Sequence, residues 1–369
     1  MIKLKEKNIV SSYGLFVTLV VTIIGVNVFS IPRDLTTIVG VDGWISIIIG
    51  GVITYISAYL IYKCIEKSDY KDCYHMFQDS FGKIIGNIIG FSIVIYSLLF
   101  ISIALRTFTE EIKMYLLQDT PTEFIFTVMI LSGIYLIRAE LEHLIRFNEI
   151  SFWLMFIPII FVLLVSIYDV DFTNLLPIFK NKPSSYFKGS INVFYRFGGI
   201  GILFMIIPIL KNKNKAPKVI KKSILFTSVF YVVIFILSIG TFGEEQSKML
   251  LWPTITMISS INIPGSFIQK WEGIVMAIWI MFYYTSFINY YYLSSDVLKN
   301  ILKLDDIKLS SAILVPFIYI FALYPENIAQ LGEKTQKLIP TMFIINMIIV
   351  PILIIIVSHV KKGGKNKIE

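Results

Sequence analysis

Apolar runs long enough to cross about 30 Å of hydrocarbon recur along the whole chain, separated by short polar segments. They read as ten spans: Ser11–Ile31, Trp44–Cys64, Lys83–Phe108, Glu123–Ile137, Leu144–Ile167, Phe187–Leu210, Ser223–Phe242, Phe267–Leu293, Ser310–Leu323 and Leu338–Val357. The fourth and ninth are short, and the third and eighth are long enough to tilt. The pattern predicts an all-α polytopic membrane protein, one transmembrane domain over residues 1–369 with no extended soluble domain.

Two spans carry residues that resist a continuous helix. The first holds Gly25, Asn27, Ser30 and Pro32. Gly25 loosens the backbone, Asn27 and Ser30 compete with the helix ladder, and Pro32 removes a donor and restrains Ile31. The sixth holds Gly198, Gly199 and Gly201 ahead of Pro208, and Gly201 precedes its proline by seven residues just as Gly25 does. In hydrocarbon, unwound backbone survives only where it is buried in protein or lines a cavity. Breaks at the first and sixth of ten spans predict two inverted five-helix repeats, residues 11–168 and 187–358, with a binding site where the breaks meet. Close packing of helices on glycine is the plainer alternative.

Composition sharpens the class. Hydrophobic residues make up 56% of the chain and charged residues 16%, well below the quarter usual in soluble domains. The net charge of +8 lies in short loops and does not point to nucleic acid. With the N-terminus inside, the inner segments hold about twice as many Lys and Arg as the outer ones, which predicts both termini in the cytoplasm. The first apolar run has no small-residue cleavage site after it and reads as a retained helix. Cys64 and Cys73 fall near one cytoplasmic loop and read as reduced structural thiols.

No catalytic grouping, phosphate loop or metal-ligand cluster can be assembled, so neither an enzyme nor a cofactor is expected. A broken-helix site offers backbone: free N–H groups for a carboxylate and free carbonyls for an ammonium or alkali cation, a pairing that suits a small zwitterion such as an amino acid. Arg196 sits in mid-span, where a charge costs about 2.5–3.5 kcal/mol. It either holds an anionic ligand group, bridges to another helix, or bonds to nearby carbonyls. No acidic residue in mid-span offers it a counter-ion. In the eighth span Ser286 and Asn289 share a face with Phe282 and are candidate ligand or ion contacts. The tyrosines beyond them (Tyr290, Tyr291, Tyr292) read as an interfacial belt. Tyr96 is a candidate wall from the third span. At the inner ends, Arg146, Glu149 and Asp296 are candidates for gating or proton carriage, set against the plainer reading of ordinary interfacial ion pairs.

Several stretches together resemble the endospore germination permease family, the B subunits of spore nutrient-germinant receptors. They are Ile24-Gly25-Val26-Asn27-Val28 with Ile31-Pro32, Asp42-Gly43-Trp44-Ile45-Ser46, Thr120-Pro121-Thr122, Arg146-Phe147-Asn148-Glu149-Ile150, Asn174-Leu175-Leu176-Pro177, and Ile268-Gln269-Lys270-Trp271-Glu272 leading to Trp279. That family is similar to the amino acid–polyamine–organocation transporters. The resemblance implies a LeuT-like inverted-repeat fold with helices one and six broken. It implies nutrient sensing in the spore inner membrane beside A- and C-type receptor subunits. Its implied ligand site is Gly25, Val26, Asn27, Gly198, Gly199 and Gly201, walled by spans three and eight. Asn27 departs from the transporter pattern, which has a second glycine there. The competing reading on the same fold is an amino acid permease coupled to protons or sodium.

Overall fold

The computed structural model describes residues 9–25, 27–261, 271–325, 330 and 338–365. Val26, the side chain of Asn27 and the stretch containing Ile268-Gln269-Lys270 lie outside the described residues. Among the described residues, every stretch expected to span is mainly helical, with interruptions inside the first and sixth. The helices are α1 (Ser12–Ile24), α2 (Ile31–Val39), α3 (Gly43–Lys67), α4 (Cys73–Tyr115), α5 (Thr122–Ile137), α6 (Leu141–Ser166) and α7 (Pro183–Arg196). They continue with α8 (Leu203–Ile206), α9 (Ala216–Met249), α10 (Pro253–Ser259), α11 (Trp271–Leu302), α12 (Ile307–Leu323), α13 (Leu338–Ile344) and α14 (Val350–Lys365). Among the described residues, five stretches are long and apolar enough to cross a membrane unbroken, and two further pairs of helices qualify as bent pairs.

Local chemistry starts these helices. Ser11 caps α1 by accepting from the Gly14 amide at 2.9 Å, and Asp72 caps α4 by accepting from the His75 amide at 3.0 Å. Prolines stand in the first turn of α2, α7, α9 and α10, where a missing N–H costs nothing. That corrects one expectation. The first span does not stop near Pro32, because Pro32 starts α2, and the helix runs on to Val39. Arg33 and Asp34 are therefore helical residues, not loop charges.

The bundle encloses a large apolar core, and α3 shows how small and polar residues let helices approach one another. On α3 the inward row is Gly43, Ser46, Gly50, Thr54, Ser57 and Ala58, all buried, while Ile48, Val52 and Ile56 face outward. A methyl on Gly50 would fall 2.6 Å from Val193 of α7, so the two backbones approach closely there. α11 is the central helix, packed on α1, α4, α5, α6 and α12.

One end of the bundle gathers residues 9–11, 68–80, 209–216 and 361. The Ile9 amide donates to the Ile209 carbonyl at 2.9 Å, and the Lys211 amide to the Val10 carbonyl at 2.9 Å. The Lys213 ammonium lies 4.8 Å from the Tyr70 ring, and Lys361 donates to the carbonyls of Asp79 and Ser80. At the far end, the segment after α6 is tied across the molecule. Asn174 donates to the Gly240 carbonyl at 2.9 Å. The buried Asp42 carboxylate accepts from the Phe179 amide at 3.0 Å and the Tyr186 hydroxyl at 2.7 Å. Asp171 in this segment is held below the usual carboxylate range by the hydroxyl and then the amide of Thr173.

Candidate functional site

Both expected breaks are present, and they touch. Gly25 ends α1 with φ +36°, a conformation that L side chains rarely adopt. Residues 198–202 form a tight 3₁₀ turn, and the halves of the sixth span meet at 44°. At Gly199 a Cβ would fall 2.7 Å from the backbone of Thr22 and Ile23, so only glycine lets the two breaks lie this close.

The backbone freed by the breaks is met by side chains from the surrounding helices. Trp279 of α11 donates to the Gly25 carbonyl at 2.8 Å, with its ring against Phe29. Tyr231 of α9 donates to the Ile23 carbonyl at 3.1 Å, and Thr254 of α10 to that of Val28 at 3.2 Å. Tyr290 donates to the Gly198 carbonyl, and the Tyr96 hydroxyl lies 3.4 Å from the same oxygen. The Ser286 hydroxyl lies 3.1 Å from each of the carbonyls of Val21, Thr22 and Phe282 and can donate to one at a time. The carbonyls of Gly25, Ile23, Val28 and Gly198, expected to be open to a cation, thus have protein donors in this arrangement.

Asn289 belongs to a buried chain of polar groups beside the first break. It donates to the Thr22 hydroxyl at 2.7 Å and accepts from Asn148 of α6 at 2.9 Å. Thr22 passes the chain to the Thr18 carbonyl at 2.6 Å. Substitution Asn289→Ala leaves two fully buried groups short of a partner. We expect about 1–3 kcal/mol of lost stability, read as a lower unfolding midpoint of the purified protein.

A cavity of about 720 Å³ adjoins the breaks on the side of α2 and α7. Of the residues singled out in the sequence, Gly25, Arg196 and Ser286 line it. Tyr96, Gly198, Gly199, Gly201 and Asn289 are buried around the breaks but are not among its lining residues. Sequence reasoning missed Ser30, Thr107, Lys188, Asn192 and Tyr283, which supply polar groups to its wall. Ser30 belongs to the first break, and for Thr107, Asn192 and Tyr283 nothing local marks a cavity residue, since hydroxyls and amides are common in membrane helices.

Arg196 has an acidic partner, contrary to expectation. It forms an ion pair with Asp34, donates from Nη1 to the Ser30 hydroxyl at 2.9 Å, and from Nε to Asn192 at 3.1 Å. A first span ending at Ile31 leaves Asp34 outside it, and the continuation of the helix through α2 brings Asp34 to Arg196 at the cavity wall. The tyrosine belt is also corrected. Tyr290 and Tyr291 are fully buried, the latter donating to the Ser311 carbonyl at 2.7 Å, because α11 has neighbours on every side. The gating candidates stand apart from the cavity. Arg146 pairs with Glu142 at 2.6 Å and Asp296 with Lys299 at 2.8 Å, both local pairs on their own helices. Glu149 is half-buried, with a carboxyl oxygen against Gly14. Cys64 and Cys73 are free and buried.

Similar proteins place this geometry. The fold resembles that of a Na⁺-coupled sialic acid symporter in a substrate-bound outward-open state, with a TM-score of 0.67 and 12% identity over 93% of this chain and 80% of that one. The likeness is one of fold, the LeuT-like transporter architecture. The spore germination protein A2 of Bacillus subtilis (strain 168) is 28% identical over 310 residues, 84% of this chain and 85% of its own. YndE from the same organism is 25% identical over 92% of this chain and 93% of its own, and GerLB of Bacillus cereus is 24% identical over 93% of each. The family model for spore germination proteins matches residues 9–331, a stretch that holds both helix breaks and the α2, α4, α7 and α11 walls of the cavity, and the chain therefore belongs to the spore germination permease family.

Proposed function

We propose that this chain is the B-type subunit of a spore germinant receptor. In this reading it binds a small nutrient beside the two helix breaks and signals to A- and C-type partner subunits. The observation that carries the reading is the cavity of about 720 Å³ bounded by Gly25, Ser286 and Arg196, in a chain of the germination family. Its size falls in the usual range for small-molecule sites. An amino acid is the ligand class we favour. Lys188 supplies positive charge for a carboxylate beside the Arg196–Asp34 pair, and Ile38, Ile103, Ile191, Ile339 and Ile344 supply an apolar wall. The protein sits in the spore inner membrane with both termini cytoplasmic, so the cavity faces outward. Residues 11–168 and 187–358 act as inverted repeats around it.

A proton- or sodium-coupled permease would share the fold. Sensing is favoured over coupled import because Trp279 and Ser286 hold the carbonyls freed at the first break. The test is a cavity-filling change that leaves the breaks alone. Ala104→Leu, on the cavity wall, should shift the nutrient dose–response of spores by about tenfold or more, a loss of about 1.4 kcal/mol in binding. An unchanged response at normal protein level would refute the site. Calorimetric titration of the purified chain with a panel of amino acids identifies the ligand, and robust uptake by the chain alone in liposomes would favour the permease.

A further inference from the structure

Glu111 lies near the end of α4 and is 1% exposed, the one buried glutamate among the described residues. Neither of its carboxyl oxygens has a hydrogen-bond partner among the described residues. The cations on either side of it along α4 are directed to other groups. Arg106 pairs with Glu110 at 2.6 Å, and Lys113 donates to the Thr122 hydroxyl at 3.1 Å.

Its position relates it to the cavity. Phe100, Ala104 and Thr107 line the cavity from one stripe of α4, and Glu111 is the next position on that stripe, one turn beyond Thr107. Phe108 lies beside that stripe, stacked on Tyr283 of α11 with ring centroids 4.4 Å apart. The Tyr283 hydroxyl is itself buried with no hydrogen-bond partner among the described residues, and Tyr283 lines the cavity. One turn beyond Glu111, Tyr115 directs its hydroxyl to Thr256 of α10 at 3.3 Å. Among the described residues, α4 itself carries Arg106, Glu110, Lys113 and Tyr115 on this stretch, and of the helices packed on it α11 carries Tyr283 and α12 carries Tyr319. α10 contributes none, and Glu123 of α5 is exposed. Lys270, and the side chain of Glu272 in the first turn of α11, lie outside the described residues.

A carboxylate with neither donor nor cation is far costlier to bury than the neutral acid. We infer that Glu111 is a proton-binding site: it carries a proton while buried, and gives it up when water reaches it from the far end of the cavity. The O–H bond of the carboxyl breaks, the proton passes to water, and the hydrated carboxylate remains. Because the buried state binds the extra proton, acid favours closure and alkali favours opening. This inference does not depend on the nutrient reading, and its test uses no nutrient.

Infrared spectra of the purified full chain in lipid nanodiscs report the acid directly. At neutral pH the wild type should show a protonated-carboxyl carbonyl band that Glu111→Gln lacks. Wild type grown with ¹³C-carboxyl glutamate should show that band displaced, which tests the assignment even if the variant does not fold. A band common to both chains, or one unmoved by the label, would overturn the protonated state. Linkage is read from a Thr107→Cys chain treated with a water-borne thiol reagent. Its labelling should rise with pH several-fold more steeply with Glu111 present than with Gln there. Identical profiles would overturn the linkage.

Discussion

Gly199→Ala should be the most damaging single-methyl change in the protein, lowering stability by about 3 kcal/mol or more, the upper end of what overpacking costs. The added carbon would lie 2.7 Å from Ile23 Cα, Ile23 N and the Thr22 carbonyl carbon, all of them main chain. A side chain can rotate away from an intruding methyl, but α1 can yield only by separating from the 198–202 turn. That separation would also strain the bonds that Trp279, Ser286 and Tyr231 make to the end of α1. Its neighbours provide the control. At Gly198 the nearest atoms are Phe100 Cε2 at 3.0 Å and the Tyr96 hydroxyl at 3.1 Å, both on side chains. At Gly201 they are the Met347 methyl and the Tyr290 hydroxyl, each at 2.6 Å. Gly198→Ala should cost about 1 kcal/mol and Gly201→Ala an intermediate amount. Unfolding midpoints of the three purified variants check the order, and equal losses would show that the close approach at Gly199 is not what joins the breaks.

The helix breaks were legible in the sequence because each rests on a local property of one residue. Gly25 ends a helix through its own φ, and three glycines in four positions weaken one whatever surrounds them. The ion pairs Arg146–Glu142 and Asp296–Lys299 were legible for the same reason, as charges three or four apart on one helix. What was not legible depended on residues distant in the chain. Asp34 and Arg196 are separated by 162 positions, and their pairing follows only once Pro32 is known to begin a helix. Proline serves both as a stop and as a start, and its ring alone does not say which. The row of tyrosines in α11 has the composition of a membrane-interface belt, yet Tyr290 and Tyr291 are core residues because of where α11 lies. Glu111 lies beyond the third span as the sequence bounds it, at Phe108, and only the packing around α4 shows that it is buried with no hydrogen-bond partner among the described residues.

Arg196→Met and Asp34→Asn should each cost more than half of what the two cost together. The groups are 16% and 31% exposed on their side chains, so each single change strands a charge that water reaches only in part. Breaking a fully buried pair costs about 3–5 kcal/mol, and partial exposure reduces that to about 2 here. The double variant strands no charge, which predicts a coupling of about 1 kcal/mol or more in a double-mutant cycle on unfolding free energies. Additive losses would mean that the pair is incidental. Arg196→Lys separates charge from geometry. A single ammonium keeps the charge opposite Asp34, but it cannot reproduce the fork that reaches Ser30, Asp34 and Asn192 at once. Because Ser30 and Asp34 belong to the start of α2 while Arg196 ends α7, this fork fastens the α2 and α7 halves of the two broken spans together at the cavity wall. Losing it should therefore speed hydrogen exchange in α2 and α7 in all three single variants, and leave the far larger contact of α4 with α11 unchanged. Faster exchange in α2 alone would place the fastening of α7 elsewhere, since a tie between two half-helices must loosen both when it is cut.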